Sequence, residues 1–176
     1  MNHVVLVHPQ IGGNTGAIIR LASNLGFALH LVEPFGFEIT DSRVKRAGLD
    51  YRELADVRQH PDWAAAAQAT TGRRRLAFTA HADLHLHEVS IDPADVLVFG
   101  CETSGLPAEI LADCVPVRIP MMPGNRSINL ANAVAIAAYE AWRQQGFVGA
   151  ATRVTNQTVP TESFTPFDAQ AGRNEE

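Results

Sequence analysis

The sequence has little with which to cross a membrane, hold a metal or wrap a nucleic acid by bulk charge. Its longest apolar runs fall far short of the ~20 residues that a bilayer span needs. The chain enters a strand pattern at once, without a basic segment leading into an apolar stretch, so no signal peptide is expected and the cytoplasm is the default. Its two cysteines, Cys101 and Cys114, lack metal-ligand spacing and read as reduced thiols. The net charge of −5 argues against a generally basic surface. Familiar signatures are missing as well. No G-x-G-x-x-G follows the first strand, and Gly12-Gly13-Asn14-Thr15-Gly16 lacks the Lys-Ser/Thr ending of a P-loop. Thr103-Ser104-Gly105 is not G-x-S-x-G, so a hydrolase elbow is unsupported.

What is present suits one soluble domain: 176 residues, 46% hydrophobic and 19% charged. Short apolar runs at 4–7, 29–32, 76–79, 96–99 and 115–119 read as strands, with a further candidate at 54–58. Helical patterns fall at 14–25, 41–47, 63–69, 107–112 and 129–145. Such alternation predicts a parallel α/β sheet with helices on both faces. The polar stretch 81–95 reads as a connection. From about 148 the composition shifts to Thr, Gln, Pro, Ala and Glu, which predicts a domain over 1–147 and a disordered tail over 148–176. The last helix carries Leu130, Val134, Ile136, Tyr139 and Trp142 around most of its circumference, so it is expected to be buried on nearly all sides. A single chain of this size has little room for that, and a homodimer through this helix is the simplest expectation.

Three segments carry candidate chemistry. Pro9-Gln-Ile-Gly-Gly-Asn-Thr-Gly-Ala-Ile-Ile-Arg20 follows the first strand. Leu97-Val-Phe-Gly-Cys-Glu-Thr-Ser-Gly-Leu-Pro107 follows a later one. Arg118-Ile-Pro-Met-Met-Pro-Gly-Asn-Arg-Ser-Ile-Asn-Leu-Ala-Asn132 leads from the final strand into the last helix. Ser127, Asn129 and Asn132 stand where a helix N-terminus leaves N–H groups unpaired. Parallel α/β folds bind ligands outside the carboxyl ends of their strands, which singles out Phe78, Gly100 and Ile119. A local basic group, Arg43, Lys45 and Arg46 with Arg52 and Arg58, can hold phosphates on an acidic protein. Arg73, Arg74 and Arg75 are either a second such group or a solvated face. His81, His85 and His87 read as surface histidines, and no metal site is expected.

In order and spacing the three segments resemble the motifs of the SPOUT class of RNA methyltransferases, most closely the small tRNA wobble-nucleotide 2′-O-ribose methyltransferases. The resemblance runs from about Val4 to Phe147. Gly12, Gly13 and Cys101 depart from the prolines usual at those places. The resemblance implies a C-terminal deep trefoil knot, a homodimer, and S-adenosylmethionine as cofactor, held by Phe78, Gly100, Ile119, Ser127 and Asn132. It implies tRNA as partner, pyrimidine riboses as targets, and a catalytic group of Arg20, Asn14 and Glu102. A guanidinium keeps its proton in proteins, so for Arg20 binding phosphate and stabilising a developing alkoxide fit better than acting as a base. Glu102 would fix Arg20 or the RNA. Two other readings stay open: a ribose methyltransferase acting on another tRNA or rRNA position, and a non-catalytic RNA-binding relative.

Overall fold

The structure is a computed structural model that describes residues 2–38 and 55–151. Six parallel strands form one sheet in the order β3-β2-β1-β5-β4-β6. They are β1 (His3–Val7), β2 (Ala28–Val32), β3 (Val57–His60), β4 (Arg75–Phe78), β5 (Val96–Phe99) and β6 (Val115–Val117). Parallel strands are covered on both faces, which is why β1, β2 and β5 are continuous apolar runs rather than alternating ones.

Alternation along the strands divides the core in two. Val4, Leu6, Leu29, Leu31, Leu97 and Phe99 face α1 (Gly12–Leu25) and α4 (Leu130–Gln144). Val5, Val7, Val96 and Val98 face α2 (Trp63–Ala69) and α3 (Ala108–Ala112). Each fully buried aliphatic side chain contributes about 1.5–3 kcal/mol. Local chemistry sets the helix ends. Asp62 accepts from the Ala65 amide to start α2, and α1 stops at Gly26, whose φ of 73° suits a residue without Cβ.

Several sequence expectations shift. The candidate strand at 54–58 is displaced to β3, and β6 stops at Val117, short of Ile119. Arg118 forms only an isolated bridge with His85, its amide donating to the Leu84 carbonyl and its carbonyl accepting from the Leu86 amide, both at 2.8 Å. The polar connection 81–95 contributes to the core: a 3-10 turn, Leu86–Glu88, buries Leu86, and Val89 and Ile91 follow it inward. Within the single chain α4 is not buried all round. Leu130, Val134, Ala137, Ala138 and Ala141 are buried, but Ile136 and Tyr139 are 42% and 53% exposed. The expected helix at 41–47, with Arg43, Lys45 and Arg46, lies outside the described residues, as does the expected tail beyond 151.

One buried feature has no counterpart in the sequence reading. His3, His30 and His60, on adjacent strands of the α2/α3 face, join ring nitrogen to ring nitrogen at 2.8 Å twice over. His30 is fully buried, and burial, followed by its two neighbouring rings and Arg58, pulls its pKa down to about 4.

Candidate active site

The first and second segments meet at Glu102. Its carboxylate accepts from the amides of Gln10 at 2.8 Å and Ile11 at 3.2 Å, and from Asn14 Nδ2 at 2.9 Å. A carboxylate placed beside the first turn of α1 also complements the positive end of the helix dipole. The chain reaches this arrangement through His8, whose φ of 54° lies in the left-handed region that non-glycine residues seldom occupy. Such strain persists only where surrounding contacts hold it, and here His8 donates its amide to Val32 and accepts from Gln10 Nε2.

The third segment joins through asparagines. Asn129 Nδ2 donates to Asn14 Oδ1 at 3.0 Å, while Asn129 Oδ1 caps α4 by accepting from the Asn132 amide at 3.3 Å. Glu102, Asn14, Asn129 and the start of α4 therefore form one continuous hydrogen-bonded chain. In it Glu102 orients backbone and Asn14.

Gly100 is required for a reason internal to the fold. A Cβ there would lie 2.2–2.4 Å from backbone atoms of Gly105 and Leu106. The loop closes on itself through paired backbone bonds between Cys101 and Gly105. Burial raises the pKa of the Cys101 thiol, but hydrogen bonds from Ser104 and Thr103 outweigh it and bring the value down to about 7.

Three of the expected cofactor residues stand at the ends of strands adjacent in the sheet: Phe78 ends β4, Gly100 follows β5, and Ile119 lies two residues beyond β6. Phe78 is half-buried and stacks on Phe99 at 4.6 Å. Ile119 packs on the core from the chain leaving β6. Ser127 is exposed, and its hydroxyl has no partner among the described residues; Asn132 is exposed one turn into α4. Arg20 stands on the exposed stripe of α1 with Gly13, Ala17 and Asn24. It lies about 9 Å along the axis from Asn14.

Arg58 and residues 73–75 are engaged within the fold. Arg58 pairs with Asp56, Arg74 with Asp95, and Arg73 donates to the Ala94 carbonyl. Arg75 bonds the Ala67 carbonyl and lies over the Trp63 ring. These bonds tie residues 73–75 to the fold, a role that neither the phosphate-group nor the solvated-face reading anticipated.

A second surface adjoins the site. Leu21, Ile119, Pro120, Ile136, Tyr139 and Arg143 line an open, mainly apolar groove along α1 and α4. Arg143 bonds Glu140 at 2.8 Å, and this contact, more than any other, draws the Glu140 carboxyl down to about 2. Trp142 turns away: its indole donates to the Val148 carbonyl at 3.0 Å and meets Phe147 edge-on. It secures the end of α4.

Comparison with known proteins agrees with this geometry. The model of the SpoU rRNA Methylase family matches residues 1–139. A tRNA (cytidine(34)-2′-O)-methyltransferase of Burkholderia ambifaria is 50% identical over 157 residues, covering 86% of this chain and all of that protein. A solved structure described as giving insight into 2-OH methylation of C/U34 on tRNA superposes with a TM-score of 0.81 at 44% identity, covering 84% of this chain and 97% of its own. A SpoU methyltransferase of Streptomyces viridochromogenes, in complex with the cofactor AdoMet, superposes with a TM-score of 0.71 at 27% identity, covering 81% and 57%. With the family model spanning both ends of the Glu102–Asn14–Asn129 chain, this protein belongs to the SpoU rRNA methylase family.

Proposed function

We propose that this protein is an S-adenosylmethionine-dependent methyltransferase that modifies the ribose 2′-hydroxyl of the pyrimidine nucleotide at tRNA position 34. The observation that carries the reading is the Glu102–Asn14–Asn129 chain, which ties the three motif segments into one site. The full-length match to a protein of that activity supplies the substrate. The work is done among the tRNAs of the cytoplasm.

The residues at the ends of β4, β5 and β6 suit the cofactor. Half-exposed Phe78 and Ile119 offer apolar walls, while exposed Ser127 and Asn132 offer polar contacts from the loop and α4. Bound there, S-adenosylmethionine supplies an electrophilic methyl group, and no metal is needed for that chemistry. Arg20 holds the adjacent phosphate and stabilises negative charge gathering on the 2′-oxygen. Glu102 and Asn14 keep α1 and the loop before it in place, so that Arg20 meets a fixed ribose; their part is positioning. Arg43, Lys45 and Arg46 bind tRNA phosphates.

Two architectural readings belong with this one. The chain leaves edge strand β6 with Arg118 clasped between Leu84 and Leu86, then returns to the sheet centre, where α4 packs on α1 and β5. We read this path as the C-terminal trefoil knot of a domain over 1–147. The apolar groove bearing Ile136 and Tyr139 is read as the homodimer interface.

Nucleoside mass spectrometry of tRNA from a deletion strain tests the activity. Loss of the 2′-O-methyl mark at position 34, restored by the wild-type gene, is expected. Persistence of that mark, or loss of one elsewhere in tRNA or rRNA, would overturn the assignment.

A further inference from the structure

We propose that the turn His85-Leu86-His87-Glu88, at the edge of the apolar groove that Leu86 and His87 also line, is a site for a divalent transition-metal ion of the zinc class, apart from the methyl-transfer chemistry. Read as sequence, these histidines lie in a polar connection and suggest only a solvated surface. Folding changes that. One ligand atom from each of His85, His87 and Glu88 falls within 4.8 Å of the others. The two imidazoles lie nearly parallel with centroids 5.6 Å apart, and His85 Nδ1 is 3.5 Å from Glu88 Oε2. Donors around a tetrahedral zinc sit roughly 3.3 Å apart, as bond lengths of 2.0–2.1 Å require. Side-chain rotation alone therefore closes the set.

The backbone beneath is already ordered. Buried Leu86 pins the turn to the core, and its amide donates to the Arg118 carbonyl at 2.8 Å. The Glu88 amide donates to the His85 carbonyl at 2.9 Å, and the Glu88 carboxylate accepts from the His85 amide at 2.8 Å. An ion would therefore order three side chains and little main chain, which is what makes a three-residue site feasible. The His85 ring also accepts from the Glu88 amide as part of this cap. Coordination through that nitrogen exchanges one hydrogen bond of a single turn for a metal bond.

The donors define the ion. Two imidazoles and one carboxylate favour zinc, cobalt, nickel or copper over magnesium or calcium, which prefer oxygen. The exposed side of the turn leaves a coordination position for water. Because the turn clasps Arg118 at the exit of β6, an ion would brace the start of the third motif segment. The inference rests on this geometry and not on the proposed activity.

Calorimetry with zinc chloride at pH 7.5, on untagged, chelator-washed full-length protein, tests it. One ion per chain is expected, with no heat from magnesium chloride. His87→Ala should weaken zinc binding about tenfold or more, a loss of ~1.4 kcal/mol. Glu88→Gln, which can still accept from the His85 amide, should also weaken it. Zinc should raise the urea midpoint of wild type but not of His87→Ala. No binding to wild type would overturn the proposal. So would an unchanged isotherm for both variants, which would place the ion elsewhere, as on Cys101.

Discussion

The two faces of the sheet are made by the same strands, yet they bury different chemistry. Toward α1 and α4 the inward residues are aliphatic or aromatic, and the helices above them carry Arg20, Asn14 and Asn129. Toward α2 and α3 the sheet carries a ladder of three histidines beside its valines. On the first face, apart from buried Thr15, the polar groups named here stand outside the core, where a ligand can reach them. On the second, polar groups are spent inside the fold, linking β1, β2 and β3. Substitutions on the first face should therefore alter chemistry and assembly, and those on the second should alter stability and its pH dependence.

The largest effect is expected at Arg20. Arg20→Ala should lower the single-turnover rate about 10²-fold or more, on the scale of losing an oxyanion donor. Binding of S-adenosylmethionine should barely change, because the proposed pocket lies at the ends of β4, β5 and β6. Arg20→Lys should be impaired too, since an ammonium lacks the planar fork. A near-normal rate for Arg20→Ala would make this residue structural and erase the functional contrast between the faces.

Next comes Glu102, which belongs to both categories. Glu102→Ala leaves the amides of Gln10 and Ile11 and the side chain of Asn14 without their shared acceptor. Bonds to a charged group are worth about 1.5–3 kcal/mol each, less where water can replace the partner. A loss of about 2 kcal/mol in urea unfolding is expected, with a fall in rate larger than any change in cofactor affinity. Glu102→Gln should recover part of both. Full activity in Glu102→Ala would show that the three segments stay aligned without their central acceptor.

Assembly gives a third test. Tyr139→Glu places a charge in the apolar groove and should shift sedimentation from dimer to monomer at micromolar concentration, with helix content unchanged. A wild-type protein that sediments as a monomer would remove the groove as an interface.

Much of this architecture was legible because its causes are local. Continuous apolar runs mark buried parallel strands, and Gly26, Asp62 and Asn129 mark helix ends by known chemistry. The motif order was enough to point to Asn14, Glu102 and Asn129. Their mutual bonds were not legible, since they join residues 88 and 115 positions apart. Gly100 was singled out as a strand end, but the close approach of its own loop's backbone was not legible. Residues 81–95 were read as a polar connection because the positions that become buried, Leu86, Val89 and Ile91, are too few and too irregular to show a period. The histidine ladder escaped for a related reason. His30 sits inside an apolar strand, and only the pairing of three strands supplies its partners.

That ladder yields the smallest expected effect. Burial lowers the pKa of His30 to about 4, and burial is also the main cause of the downward shifts of His3 and His60. Around them stand Asp56, Arg58, Asp62 and Arg73, with the two acids partly opposing the shift. The fold therefore favours neutral rings, while in the unfolded chain a histidine titrates near ~6.5. Stability from the ladder is complete above that value and is lost as pH falls from 6.5 toward 4, because the unfolded state takes up protons first. His30 alone should cost about 1 kcal/mol between pH 6.5 and 5.5. Urea midpoints at pH 7.0 and 5.5 measure the loss, and His30→Leu should flatten the difference while lowering stability at both values. Equal midpoints for the wild-type protein would mean that the rings are not held neutral. The second face would then be no more pH-sensitive than the first.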